Sequence, residues 1–245
     1  MCEPLALGPA MRRRAPLSAV LTLLLVVPVS AHAGKKSASA SGHPVVRLAA
    51  QALGGNVRDI ALLAVAVPLE REKADGSAAL VRLDDGRDGG LPTCYLLELA
   101  GKPYGPNKIE AQQRMSVCPA GPPKGAQLSR VAISGRHEAW QVRLESARYD
   151  TKAQGGEMAV FWGLLVRSGS EIKSLWERTS TTFKSKTDVA LNQAEVCTPP
   201  QITVGGQEPD LVTVHCDSET MAGKLPKRAK LTFKSSWAGD RFLQN

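Results

Sequence analysis

Asp84-Asp85-Gly86-Arg87-Asp88-Gly89 is the segment of this 245-residue chain whose side chains come nearest to a cation site. In a calcium loop, carboxylates at the first and fifth positions share one ion, and Asp84 and Asp88 have that spacing. Gly86 stands where a third oxygen ligand is needed, and Tyr95 occupies the twelfth position, where a bidentate glutamate belongs. The segment therefore reads as a connection after Leu83, in which glycine supplies positive φ and aspartate favours the turn. No cofactor is expected.

Acid/base and nucleophilic chemistry have little to draw on. His43, His137 and His215 follow the N-terminal region, and none belongs to a metal-binding spacing such as H-E-x-x-H. His137 and Glu138 are neighbours, but adjacent residues on a strand point to opposite faces, so they make a poor acid/base pair. The chain has no G-x-S-x-G elbow and no phosphate-binding glycine loop.

Cysteine usage is informative. Cys2 lies in the leader, which leaves Cys94, Cys118, Cys197 and Cys216, an even set that suits two disulfides in an exported protein. Four cysteines permit three connectivities, and proximity favours Cys94 with Cys118 and Cys197 with Cys216. A four-cysteine zinc site would normally show C-x2-4-C knuckles, and the chain has none.

Two groups are candidates for binding. Trp162 and Trp176 could form a platform for stacking on sugar rings, although paired aromatics on an aliphatic face more commonly belong to a core. Lys224, Lys227, Arg228 and Lys230 form the densest positive stretch in a chain of formal charge +8, and could meet an anionic envelope polymer or lipid head group. With only 4% aromatic residues, base stacking has little support, and nucleic acid is not an expected partner.

The elements that would carry these residues begin after a leader. Arg12-Arg13-Arg14, an apolar run from Leu17 to Val29 and Ala31-His32-Ala33 describe a secretory signal peptide over residues 1–33, with translation able to start at Met11. Residues 34–43 read as a flexible tether, and residues 44–245 as one disulfide-stapled β-rich domain with no later stretch apolar enough to span a membrane. Pro44 to Leu53 has helical apolar spacing, a proline at its start and Gly54-Gly55 as a stop.

After that helix the chain reads as strands. If Cys94 lies opposite Cys118, then Tyr95, Leu97 and Leu99 share an apolar face with Met115 and Val117, while Glu98 faces Arg114 on the other side. Gly101 to Lys108 forms the intervening loop. A second hairpin over Met158 to Arg178, with Ser168-Gly169-Ser170 as its loop, sets Arg167 opposite Glu171 and Trp162 opposite Trp176. Glu138 to Leu144 alternates with Trp140, Val142 and Leu144 on one side, and Ala238-Gly239-Asp240 closes a last hairpin ending at Phe242. Pro199-Pro200 cannot contribute to a central ladder, so the Cys197–Cys216 bridge is expected to staple a loop to a strand.

The expected fold is mainly β, with antiparallel sheets in a sandwich or barrel-like arrangement, one short N-terminal helix and two disulfides. Gly89-Gly90-Leu91-Pro92 and Gly205-Gly206-Gln207-Glu208-Pro209-Asp210 hint at a degenerate repeat, which makes a small β-propeller the alternative. The expected function is non-catalytic binding or structural work in the cell envelope or extracellular space, with a protein or glycan partner of anionic character. The alternatives are inhibition of an envelope-degrading hydrolase by insertion of the Gly101–Lys108 loop, and a secreted hydrolase built on dispersed carboxylates.

Overall fold

The computed structural model describes residues 42–66, 76–86, 90–102, 105–118, 125–151, 154–204, 206–222 and 225–244, all within one compact unit spanning Ala38–Asn245. The leader, most of the tether, Lys224 and residues 87–89 of the acidic loop lie outside the described residues. The helix α1 occupies Pro44–Leu53, as its proline and glycine boundaries predict, and Gly54 ends it at φ 68°. His43, assigned to the tether from sequence, is its N-cap: Val45 N donates to His43 Nδ1 at 3.2 Å.

The chain then forms one 13-stranded, mostly antiparallel sheet. Strands β1 (Ile60–Ala66), β2 (Ser77–Leu83), β3 (Thr93–Lys102) and β4 (Gly105–Arg114) form a meander. Strands β5 (Gln127–Ala132), β6 (Glu138–Asp150), β7 (Gly155–Ser168) and β8 (Glu171–Ser185) form a second one. The meanders join through a single parallel pair, Gln112 beside Glu171, and the sheet curls until β5 lies against β1 and β2 without a ladder between them. It is a curled open sheet, not a barrel, and its continuity excludes the separate blades of a propeller.

The last part comprises β9 (Gln193–Cys197), β10 (Gln201–Thr203), β11 (Leu211–Ala222), β12 (Leu225–Trp237) and β13 (Phe242–Gln244). Strands β9 and β10 pair with successive parts of β11, interrupted at Pro199-Pro200, which have no N–H to donate, and β9 also pairs with β8. The expected final hairpin forms, with Trp237 opposite Phe242.

Three apolar layers hold this arrangement. Val45, Val46, Ala49 and Ala50 of α1 bury against Ala79, Val81, Leu97 and Leu99 on one face of the first meander. Its other face, with Leu80, Cys94, Leu96 and Ala111, packs inside the curl against Trp140, Val142, Leu144, Phe161 and Leu165. The outer face of β7 and β8 carries Trp162, Leu164, Leu175 and Trp176 onto Val212, Val214, Cys216 and Phe242. Strands β3 and β7 are thus covered on both faces, which is why their sequences run apolar without clean alternation.

Both disulfides form as predicted, Cys94–Cys118 and Cys197–Cys216. The expected hairpin registers do not. In the first hairpin Tyr95 pairs with Arg114 and Glu98 with Ala111, because Cys118 lies beyond the end of β4 and a bulge falls between Glu98 and Leu99. Cys94 consequently shares the curl interior with Leu96, while Tyr95, Leu97 and Leu99 face α1. The Gly101–Lys108 loop is mostly strand: Lys102 pairs with Gly105, leaving only residues 103–104, outside the described set, between β3 and β4.

In the second hairpin the connection is two residues, Gly169-Ser170, with Ser168 opposite Glu171 and Gly169 at φ 68°, a position suited to glycine. A bulge then inserts Leu175, so Trp176 opposes Leu164 and Trp162 opposes Arg178. The Cys197–Cys216 bridge, expected to tie a loop to a strand, joins directly opposed residues of β9 and β11.

Candidate functional site

The curl has two open ends. Around the Cys94–Cys118 bridge, Arg114, Met115, Ser146, Arg148 and Glu157 line a cavity of about 440 Å³. At the opposite end, the starts of β2 and β6 and the end of β7 converge on a cavity of about 300 Å³ containing Glu98, Glu110, Glu138, Arg130, Arg167 and Trp140.

Glu98 is the organising residue of that second cavity. It stands inside the apolar run Tyr95-Leu96-Leu97-Glu98-Leu99, and pairing of β3 on both sides carries it into the interior, 4% exposed. Trp140 Nε1 donates to Glu98 Oε1 at 3.3 Å, and Arg130 Nη1 lies 3.9 Å from the same oxygen. Arg130 also covers the Trp140 ring at 4.5 Å and donates from Nε to Glu138 Oε2 at 2.8 Å. Arg167 Nε lies 3.6 Å from Glu98 Oε2 and donates to the Gly169 carbonyl at 2.7 Å, while its Nη1 bonds Glu110 Oε2. Burying a carboxylate costs several kcal/mol unless such partners offset it. The two guanidiniums supply that offset here.

The sequence candidates fall elsewhere. Trp162 and Trp176 share one core layer and are 7% and 8% exposed, with Trp176 Nε1 donating to Ser235 Oγ at 3.2 Å. They are core residues, and neither offers a free ring face for stacking on a sugar. Asp84 N donates to the Asp59 carbonyl and Gly86 adopts φ 72°, the turn geometry expected where the described part of the acidic loop begins.

Glu195, Cys197 and Cys216 lie close enough together to suggest metal ligands, but the two sulfurs are joined to each other and Glu195 Oε1 accepts from Arg178 Nη2 at 2.6 Å. Neither sulfur is available as a thiolate. His137 closes a turn through its carbonyl, which accepts from Ile133 N and Ser134 N, and His215 Nδ1 hydrogen-bonds Thr232 Oγ1 at 3.0 Å.

The basic stretch becomes an exposed ribbon. β11 and β12 pair without interruption from Leu211–Ser236 to Ala222–Leu225, and residues Leu225 to Lys230 are all exposed. Strand β12 carries Lys227, Arg228, Lys230 and Lys234 with no acidic residue, whereas β11 opposes Arg228 with Glu219 and Lys230 with Asp217. Arg228 Nε contacts Glu219 Oε2 at 2.7 Å in a largely solvated pair, which contributes little to stability. Lys227 stands opposite the neutral Thr220. Beyond β12, only Ser235–Trp237 pair with β13, so from Leu225 to Lys234 its outer edge meets no strand among the described residues.

Sequence reasoning located the ribbon's charges through their clustering, but missed the cavity. Its only local signal is the single carboxylate of Glu98 within a run of leucines. No helix among the described residues is long and apolar enough to cross a membrane. Comparison with known proteins finds no matching family model, no matching curated protein and no matching solved structure.

Proposed function

We propose that this chain is an exported, disulfide-stapled, non-catalytic binding module of the cell envelope or extracellular space. Its partner is a protein or glycan of anionic character, met by the β11–β12 ribbon. The observation that carries this reading is the outer edge of β12, which is open from Leu225 to Lys234 and carries four cations without an acidic residue. Lysines and Pro226 on such an edge discourage pairing with a second copy, whose like charges repel, while leaving it attractive to an anionic chain. The two disulfides support an oxidising compartment, and the leader supplies the route there.

The test uses the mature protein with cross-linked anionic polysaccharide beads and neutral beads of the same matrix. Retention on the anionic beads alone, lost in a Lys227→Glu/Lys230→Glu variant that still folds, is the expected result. Equal retention of wild type and variant would overturn the role of the ribbon. Turnover of peptidoglycan or model glycosides by the purified protein would overturn the non-catalytic reading.

A further inference from the structure

The outer edge of β12 carries more than charge, because the phase of its ladder decides which backbone groups face out. Trp237 N donates to the Asp210 carbonyl, beside the start of β11, at 3.0 Å, while the next residue, Ala238, donates to the Arg241 carbonyl on the other side at 2.9 Å. From Leu211–Ser236 to Ala222–Leu225 the register then runs without a bulge, so backbone groups alternate sides along the whole pairing. The N–H and C=O groups of Lys227, Ala229, Leu231 and Phe233 consequently point to β11, and those of Arg228, Lys230, Thr232 and Lys234 point to the open side. Two bonds of β11 agree: Met221 N and the His215 carbonyl, opposite Pro226 and Thr232, turn away from β12 to the Asn192 carbonyl and Thr198 N. Pro226 falls in the outward set, so its missing N–H costs the ladder nothing.

Two properties coincide on this edge. The outward N–H and C=O groups of Arg228, Lys230, Thr232 and Lys234 face no strand among the described residues, and they recur about every 6.8 Å. The side chains of the same residues share one face and are exposed, and all but Thr232 are cations. A residue directly opposite any of them on an antiparallel neighbour would turn its own N–H and C=O to the edge and its side chain to that face. Arg228 and Lys230 already oppose Glu219 and Asp217 of β11, so a carboxylate on the open side would set each cation between two acids. Lys234 stands opposite the neutral Thr213. This stretch is neither short nor bulged, which leaves its charges and Pro226 to keep a second copy away, and an acidic strand meets no such repulsion.

We propose that β12 takes an extended acidic peptide as an additional antiparallel strand, with carboxylates at alternate residues opposite Arg228, Lys230 and Lys234. The proposal rests on the reading of the ribbon as an anion-binding surface, and narrows its partner to a polypeptide. A glycan can meet the charges, but it presents no matching row of alternating N–H and C=O groups.

The probe is an acetylated and amidated peptide of about nine residues, alternating threonine and glutamate, titrated into nitrogen-15-labelled protein. Two further versions carry equal numbers of backbone N-methyl groups. In one they lie on glutamates, whose N–H groups face β12 in the proposed pairing, and in the other on threonines, whose N–H groups face away. The expected result is saturable binding of the unmethylated peptide, with slowed hydrogen exchange at Arg228, Lys230, Thr232 and Lys234. Threonine methylation should preserve that binding, and glutamate methylation should weaken it by about tenfold or more.

Equal affinity for the two methylated peptides, the reverse order, or slowed exchange only away from this edge would each overturn the added strand. Dextran sulfate, titrated in parallel, separates this proposal from the reading beneath it. Binding of dextran sulfate without binding of the peptide would overturn the strand and leave the anion-binding ribbon standing, whereas failure of both would overturn the two together.

Discussion

Trp140 and Glu98, 42 positions apart in sequence, meet inside the curl of the sheet through an indole N–H donated to a buried carboxylate at 3.3 Å. The contact joins the first meander to the second, and their only shared ladder among the described residues is one parallel residue pair. Polar and apolar packing, more than strand pairing, therefore holds these two halves together.

Replacing Glu98 with Ala should be severely destabilising. It leaves the Trp140 N–H without its acceptor and removes the carboxylate that faces both Arg130 and Arg167, a loss of about 3 kcal/mol or more. Urea unfolding of wild type, Glu98→Ala and Glu98→Gln checks this. The glutamine variant should lose less, because its amide oxygen can still accept from the indole.

Trp162→Ala should cost about 3–5 kcal/mol, as expected for a large aromatic removed from a core layer. Thermal unfolding reads the effect directly. A variant that melts with wild type would place this ring outside the core.

Gly155 tolerates no side chain. A Cβ there would lie 2.2 Å from the Lys184 carbonyl oxygen and 2.9 Å from Ser185 Cα, and neither backbone atom can move aside like a flexible side chain. Gly155→Ala should destabilise by about 1–3 kcal/mol and loosen the start of β7 against the end of β8. Hydrogen exchange at those strand ends should quicken. Unchanged protection would contradict the close approach.

Removing either disulfide should reduce stability by about 3 kcal/mol on the chain-entropy model, since the cysteines are separated by 24 and 19 positions. Cys94→Ser/Cys118→Ser and Cys197→Ser/Cys216→Ser variants test each bridge separately. Because Cys197 and Cys216 already face each other within a ladder, loss of their bridge should leave β9 and β11 paired, visible as retained amide protection.

The sequence made the helix legible because Pro44 and Gly54 mark its ends, and it made both disulfides legible because the even set of four cysteines and their spacing limited the choices. Hairpin register was harder, for a physical reason. Alternation fixes register only when one face is apolar, and β3 is buried on both: Leu96 faces the curl while Leu97 faces α1. The bulges at Glu98/Leu99 and Leu164/Leu165 then shifted the pairing by amounts that no local pattern records. The ribbon was visible as a charge cluster. The cavity was not, since Glu98, Arg130, Trp140 and Arg167 come from four different strands or strand ends and meet only through the fold.

The claim that β12 binds an anionic partner is tested most directly by titrating the protein with dextran sulfate at increasing sodium chloride concentration, with neutral dextran as reference. Binding should be confined to the sulfated polymer and weaken steadily as salt screens the charges. In Lys227→Glu/Lys230→Glu it should fall by about tenfold or more, with unfolding unchanged. Salt-independent binding, or a folded variant that binds as tightly as wild type, would contradict the account.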